Sequence, residues 1–220
     1  MYNLLLIPTF APGLDPGHRT AATETLSRAA AALPDTLSAL CAPTLPGVYN
    51  GGDLLCRLVF PDADACAAAL RTDAWGAAEA LLTDRGLVEQ VERVAYTGGQ
   101  AGGASEGAGL YRVALFCANV RPDAERLDAF ARETAAMPNA IRSILRWQLS
   151  QADDAQGTRA WTHVWEQEYR DLDGLNGPYM LHPAHWARVE RWFDPEYPEH
   201  LVDSVLVHTF CAIDRPVILS

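Results

Sequence analysis

At 220 residues the chain has room for one large domain or two modules of about 100 residues, each able to bury a core. Its 49% apolar and 20% charged residues are those of an ordinary globular protein, which excludes a disordered or fibrous chain. A formal net charge of −11, with 17 basic against 28 acidic residues and no basic stripe, excludes a nucleic-acid partner.

The chain opens on Tyr2 to Phe10, a short apolar run without a basic leader, which reads as a first strand rather than a signal peptide. No run approaches the 18 or so apolar residues of a membrane span, so no membrane partner is expected and the default location is cytoplasmic. The five cysteines, Cys41, Cys56, Cys66, Cys117 and Cys211, stand singly, with no CxxC pair. They read as small buried thiols, neither a disulfide framework nor a zinc site.

Residues 97–109 contain six glycines and no large apolar side chain, the composition of a flexible linker. The halves on either side resemble one another. Tyr2 to Phe10 corresponds to Tyr111 to Val120. Ala32-Leu33-Pro34-Asp35-Thr36-Leu37 corresponds to Ala136-Met137-Pro138-Asn139-Ala140-Ile141, each reading as a helix that stops at proline ahead of a strand. Leu70-Arg71-Thr72-Asp73-Ala74-Trp75 corresponds to Leu181-His182-Pro183-Ala184-His185-Trp186, and Leu87-Val88 to Leu201-Val202.

Four matches in one order indicate a tandem duplication: module 1–97, linker 98–109, module 110–220. Each half reads strand, helix, strand, strand, helix, strand. In the second half these fall near 110–120, 122–137, 140–150, 159–168, 171–193 with a break at Pro183, and 201–213. The expected fold is α+β: two ferredoxin-like modules, each with an antiparallel sheet and helices on one face, forming an intramolecular dimeric α+β barrel.

Chemistry-bearing residues concentrate in the second half. Five of six histidines (His163, His182, His185, His200, His208) and five of six tryptophans (all but Trp75) lie there. Flat apolar walls with a few polar groups suit a pocket for an aromatic ligand, and Trp161, Trp165 and Trp186 are candidates to line it. His185 and His163 are candidate acid/base groups, because imidazole alone titrates near neutrality. Tyr179 could hold a carbonyl or enolate oxygen. His182, before Pro183, reads equally as a substrate contact or as a helix cap. His-x-x-His without a placed carboxylate is a weak metal signal, and neither a phosphate loop nor a GxSxG elbow occurs.

From Tyr179 to Trp186 and at Trp161-Thr162-His163-Val164, the second half resembles the Dabb family, the stress-responsive dimeric α+β barrel proteins. Tyr179-Met180-Leu181-His182-Pro183-Ala184-His185 is similar to the Tyr-x-x-His-Pro-Ala-His run of olivetolic acid cyclase-type polyketide cyclases in that family. The resemblance implies His185 as general base, Tyr179 as partner of a substrate oxygen and His163 as a further pocket residue. It also implies cofactor-free cyclisation, isomerisation or lysis of a small aromatic or β-keto compound. The first half carries Arg71-Thr72-Asp73-Ala74 at the motif position, so its site is expected to be degenerate and the chain a monomeric pseudo-dimer or homodimer. The alternatives are a non-catalytic stress-responsive protein that binds a small ligand, and a heme- or oxygen-dependent barrel enzyme.

Overall fold

The computed structural model describes residues 1–219. It is α+β, with two antiparallel five-stranded sheets. Chain proximity divides it into two compact units, one of Met1–Thr97 with Ala152–Ala160, the other of Gly98–Gln151 with the chain from Trp161 onward. No helix among the described residues is long and apolar enough to cross a membrane.

In the first unit the order is β1 (Tyr2–Phe10), α1 (Pro16–Ala32), β2 (Ser38–Pro43), β3 (Leu54–Phe60), α2 (Ala63–Leu70), α3 (Asp73–Thr83) and β4 (Val88–Thr97). Asp15 caps α1 by accepting from the Gly17 and His18 amides, with Pro16 preset for the first turn. Alternation along β1 puts Leu4, Leu6 and Phe10 on one face, where they share a core with Leu26, Ala30, Trp75 and Leu82. Each such large side chain contributes about 1.5–3 kcal/mol by leaving water. The sheet runs β2-β3-β1-β4-β8, β8 being Asp154–Gln156.

Cys41 and Cys56 stand opposite one another on β2 and β3 and are joined as a disulfide. The expectation of single buried thiols therefore holds for Cys66, Cys117 and Cys211 but not for this pair. Fifteen residues of sequence hid a direct cross-strand register.

The second unit contains β5 (Gln100–Gly103), β6 (Leu110–Phe116), α4 (Ala124–Ala140), β7 (Arg146–Gln151), β9 (His163–Tyr169), a covering helical segment over residues 172–193 and β10 (Val207–Ala212), in the sheet order β10-β6-β9-β7-β5. Leaving β5 and β8 aside, both sheets place the first and third strands of their unit at the centre.

Four residues of the glycine-rich segment, Gln100–Gly103, form a strand. β5 pairs with β7, and a Cβ at Gly99 or Gly103 would run into the backbone of Leu149 or Leu145. Glycine is required there by close approach, and at Gly103 also by a φ of +83°. Pro138 does not stop α4. It lies in the last turn, where only one helical hydrogen bond is lost, and Ile141 N–H still reaches the Met137 carbonyl.

Candidate active site

The covering segment is built from short pieces. Asp171 caps α5 (Leu172–Gly174) by accepting from Gly174 N–H, and the chain widens into a π-helical turn, Leu175–Tyr179, around Pro178. Such turns rotate side chains out of α-helical phase and recur at functional sites. This one delivers Tyr179, 2% exposed, onto the sheet. After a break, α6 (Pro183–His185) starts with proline at its first position and runs through a second π turn (Trp186–Glu190) into α7 (Arg191–Phe193).

Strand register defines what lies beneath. Phe210, Arg112, Gln167 and Trp147 form one row across β10, β6, β9 and β7; His208, Ala114, Trp165 and Leu149 form the next. Paired residues share a face, and this face meets the covering segment, since the Arg112 guanidinium carbon lies 5.5 Å from the centre of the Tyr179 ring. Tyr179 packs edge-on against Tyr169 at 5.7 Å and against His185 at 4.7 Å. His208 tilts against Phe210 at 5.4 Å.

Burial sets the protonation of the imidazoles. It pushes His185 down to about 4 and His208 down to about 3, with the Arg112 charge adding to both and His185 adding to His208. Both rings are therefore neutral at pH 7. Burial raises the Tyr169 phenol well above its ordinary range, helped by Tyr179 and opposed by Arg112.

Six buried polar atoms, five on this face and one on the segment covering it, have no hydrogen-bond partner among the described residues: Arg112 Nε, Trp165 Nε1, Gln167 Nε2, Tyr169 OH, His208 Nε2 and, on the covering segment, His185 Nδ1. Buried polar groups are nearly always paired, and each orphan costs about 1–3 kcal/mol.

The expected site residues divide into three groups. His185 and Tyr179 come together with the orphaned atoms, and Trp165 lies on the same face, its ring 5.6 Å from Trp147. His163 shares that face but sits two strand positions from Trp165 in an aromatic box. It stacks on Phe116 at 5.7 Å and meets the edge of Phe130 at 5.6 Å, while its Nδ1 lies 2.8 Å from the Thr162 hydroxyl. Burial pushes it down to about 4. Trp161 is buried just before β9.

His182 caps α6, its Nδ1 accepting from Ala184 N–H at 3.1 Å. Trp186 is 48% exposed and lines an open groove of about 520 Å³ on the outer side of the segment, with Pro183, Arg191, Tyr197 and Glu199. No group of three His, Cys, Asp or Glu side chains among the described residues is arranged to hold a metal ion.

Arg112 and His208 were not singled out by sequence. The readable signal was a charge inside the apolar run Leu110 to Ala118, and an imidazole on the same alternation as Phe210.

Residues 110–209, the strands and covering segment just described, match the family described as Stress responsive A/B Barrel Domain, or Dabb. No significant match is found among curated proteins. Among solved structures, an anthrone oxidase-like protein is similar over 96% of this chain and 90% of its own, with a TM-score of 0.70 and 11% identity. A candidate monooxygenase from Lactobacillus acidophilus NCFM is similar over 97% of this chain and 99% of its own, at 0.58 and 10%. A candidate monooxygenase from Fusobacterium nucleatum subsp. nucleatum ATCC 25586 covers 94% and 90%, at 0.61 and 8%. At these identities the likeness establishes the α+β fold.

Proposed function

We propose that the second unit is the working half of a small-molecule enzyme in which His185 is the general base and Tyr179 the hydrogen-bond partner of a carbonyl or enolate oxygen. The carrying observation is the neutral His185 ring 4.7 Å from Tyr179, with its Nδ1 buried and unpartnered among other orphaned polar atoms. A neutral imidazole can take a proton from a carbon activated by a neighbouring carbonyl and return it elsewhere, which moves the charge without an external cofactor. Cyclisation, isomerisation and C–C lysis of an aromatic or β-keto compound all begin with that step. So does reaction of a carbanion with dioxygen, the direction in which the neighbours named anthrone oxidase-like and monooxygenase point.

Trp165 and the Tyr169 ring provide flat walls for such a substrate. Proton transfer of this kind supplies about 10²–10⁴-fold in rate. On this reading the two units are tandem copies of which only the second keeps a site. At the position matched to His185 the first has Ala74, and its matching Trp75 is buried in the core, donating to Glu79.

The test is a fluorescence screen of aromatic acids, β-diketones and lactones against the wild type and His185→Gln. The reading requires a compound that quenches both proteins and is converted only by the wild type. A compound bound equally by both and converted by neither makes the chain a binding module. Conversion at wild-type rate by His185→Gln removes His185 as the base.

A further inference from the structure

We propose, resting on the site reading above, that the substrate carries an ionised oxygen, a carboxylate or an enolate, and that Arg112 is its counter-ion. Arg112 is 7% exposed in the centre of β6. One terminal nitrogen donates to Gln167 Oε1 at 2.6 Å, the guanidinium lies over the Tyr179 ring, and Nε–H has no acceptor. It takes part in no ion pair among the described residues.

The nearest acids along the paired strand are committed elsewhere. Arg112 stands opposite Gln167, and alternation turns the flanking Glu166 and Glu168 to the other face. There Glu166 accepts from the Tyr111 hydroxyl at 2.5 Å and from Gln148 at 3.1 Å. Glu168 Oε1 accepts from the Val217 and Ile218 amides at 2.7 and 2.8 Å, while its Oε2 has no partner among the described residues.

A buried guanidinium without a counter-charge is among the costlier things a fold can keep. What surrounds it decides the ligand's sign. Arg112 Nε–H, Gln167 Nε2–H and Trp165 Nε1–H are all donors, and all three lack acceptors among the described residues. Tyr169, His185 and His208 can each donate or accept. A ligand that completes this set supplies oxygens, and beside a fixed positive charge an ionised oxygen gains most. The same charge would hold an enolate formed when His185 removes a proton, so one residue serves both as anchor and as stabiliser of developing charge.

The experiment measures binding by tryptophan fluorescence in low salt, with benzoate against benzamide for the carboxylate arm and benzoylacetone for the enolate arm. The wild type should bind benzoate at least about tenfold more tightly than benzamide, or draw benzoylacetone into its enolate absorbance band below the pH at which this happens in buffer. Arg112→Met should abolish whichever preference is found, and Arg112→Lys should keep part of it. Arg112→Met removes an unpaired buried charge and gives up the bond to Gln167 Oε1, two effects of opposite sign, so it should fold with a urea midpoint near that of the wild type. His185→Gln should lose turnover and keep the anion preference, so failure of the base assignment and failure of the anion site read out separately. Equal binding of benzoate and benzamide with no enolate band, or a preference unchanged in Arg112→Met, overturns the proposal.

Discussion

Replacing His163 with phenylalanine should make the protein more resistant to acid. The imidazole is 3% exposed between the Phe116 and Phe130 rings, and burial takes it from an ordinary 6.5 to about 4. Its folded value lies below its unfolded one, so the unfolded chain takes the proton first as pH falls. Stability is intact above about pH 6.5, drains away below it and levels off once the folded ring also protonates near 4. At pH 5 the loss comes to about 2 kcal/mol for this one residue, a large share of the usual 5–15 kcal/mol. The His163→Phe substitution keeps the stacking and gives up only the contact to the Thr162 hydroxyl, which still reaches the Phe116 carbonyl at 3.2 Å. Urea unfolding of both proteins at pH 8 and pH 5 should show a difference within about 1 kcal/mol at pH 8. At pH 5 the variant should be ahead by about 2 kcal/mol relative to that baseline. Parallel pH profiles would refute the buried neutral imidazole.

His185 stays unprotonated down to about pH 4, so kcat/KM for any substrate found should show no base limb between pH 6 and 8; a limb near 6.5 would contradict its burial. Arg126 donates to the carbonyls of Val120, Arg121, Glu199 and His200, tying the loop before β10 to the start of α4. Arg126→Ala should cost about 2–3 kcal/mol by urea unfolding and open residues 194–202 to proteolysis; unchanged cleavage would count against the tie. Reducing the Cys41–Cys56 disulfide, which closes a 15-residue separation, should lower stability by about 3 kcal/mol with dithiothreitol, an effect absent in Cys41→Ser. Glu168→Gln should loosen the chain after β10, seen as faster amide exchange at Val217 and Ile218.

The alternating apolar runs made most strands and long helices legible, because burial of one face imposes a period of two or 3.6. β6, β9 and α4 lie close to where the pattern puts them. β5 and β8 were not legible. Both are short and carry no apolar alternation, and glycine at Gly99 and Gly103 reports a close approach as readily as a flexible tether. The break at Pro183 was legible from proline's fixed φ, yet the two π turns around it were not, since no residue type specifies an i→i+5 bond. That phase change decides which side chains of the segment reach the sheet, which is why Tyr179 is buried while Trp186, seven residues on, is half exposed.

The same limit explains what was missed in the site. Counting histidines and tryptophans finds residues by type, whereas the orphaned donors lie on two neighbouring rows across strands remote in sequence, Arg112 and Gln167 in one and Trp165 in the next. The Arg112 row also bears on the base. An imidazole held at about 4 is a weak acceptor at neutral pH, and part of what holds it there is the Arg112 charge. An anion seated on Arg112 cancels that part and lifts His185 toward the range where proton transfer is efficient. The ligand that satisfies the orphaned donors is then also the one that tunes the base, so binding and proton transfer are coupled through a single guanidinium.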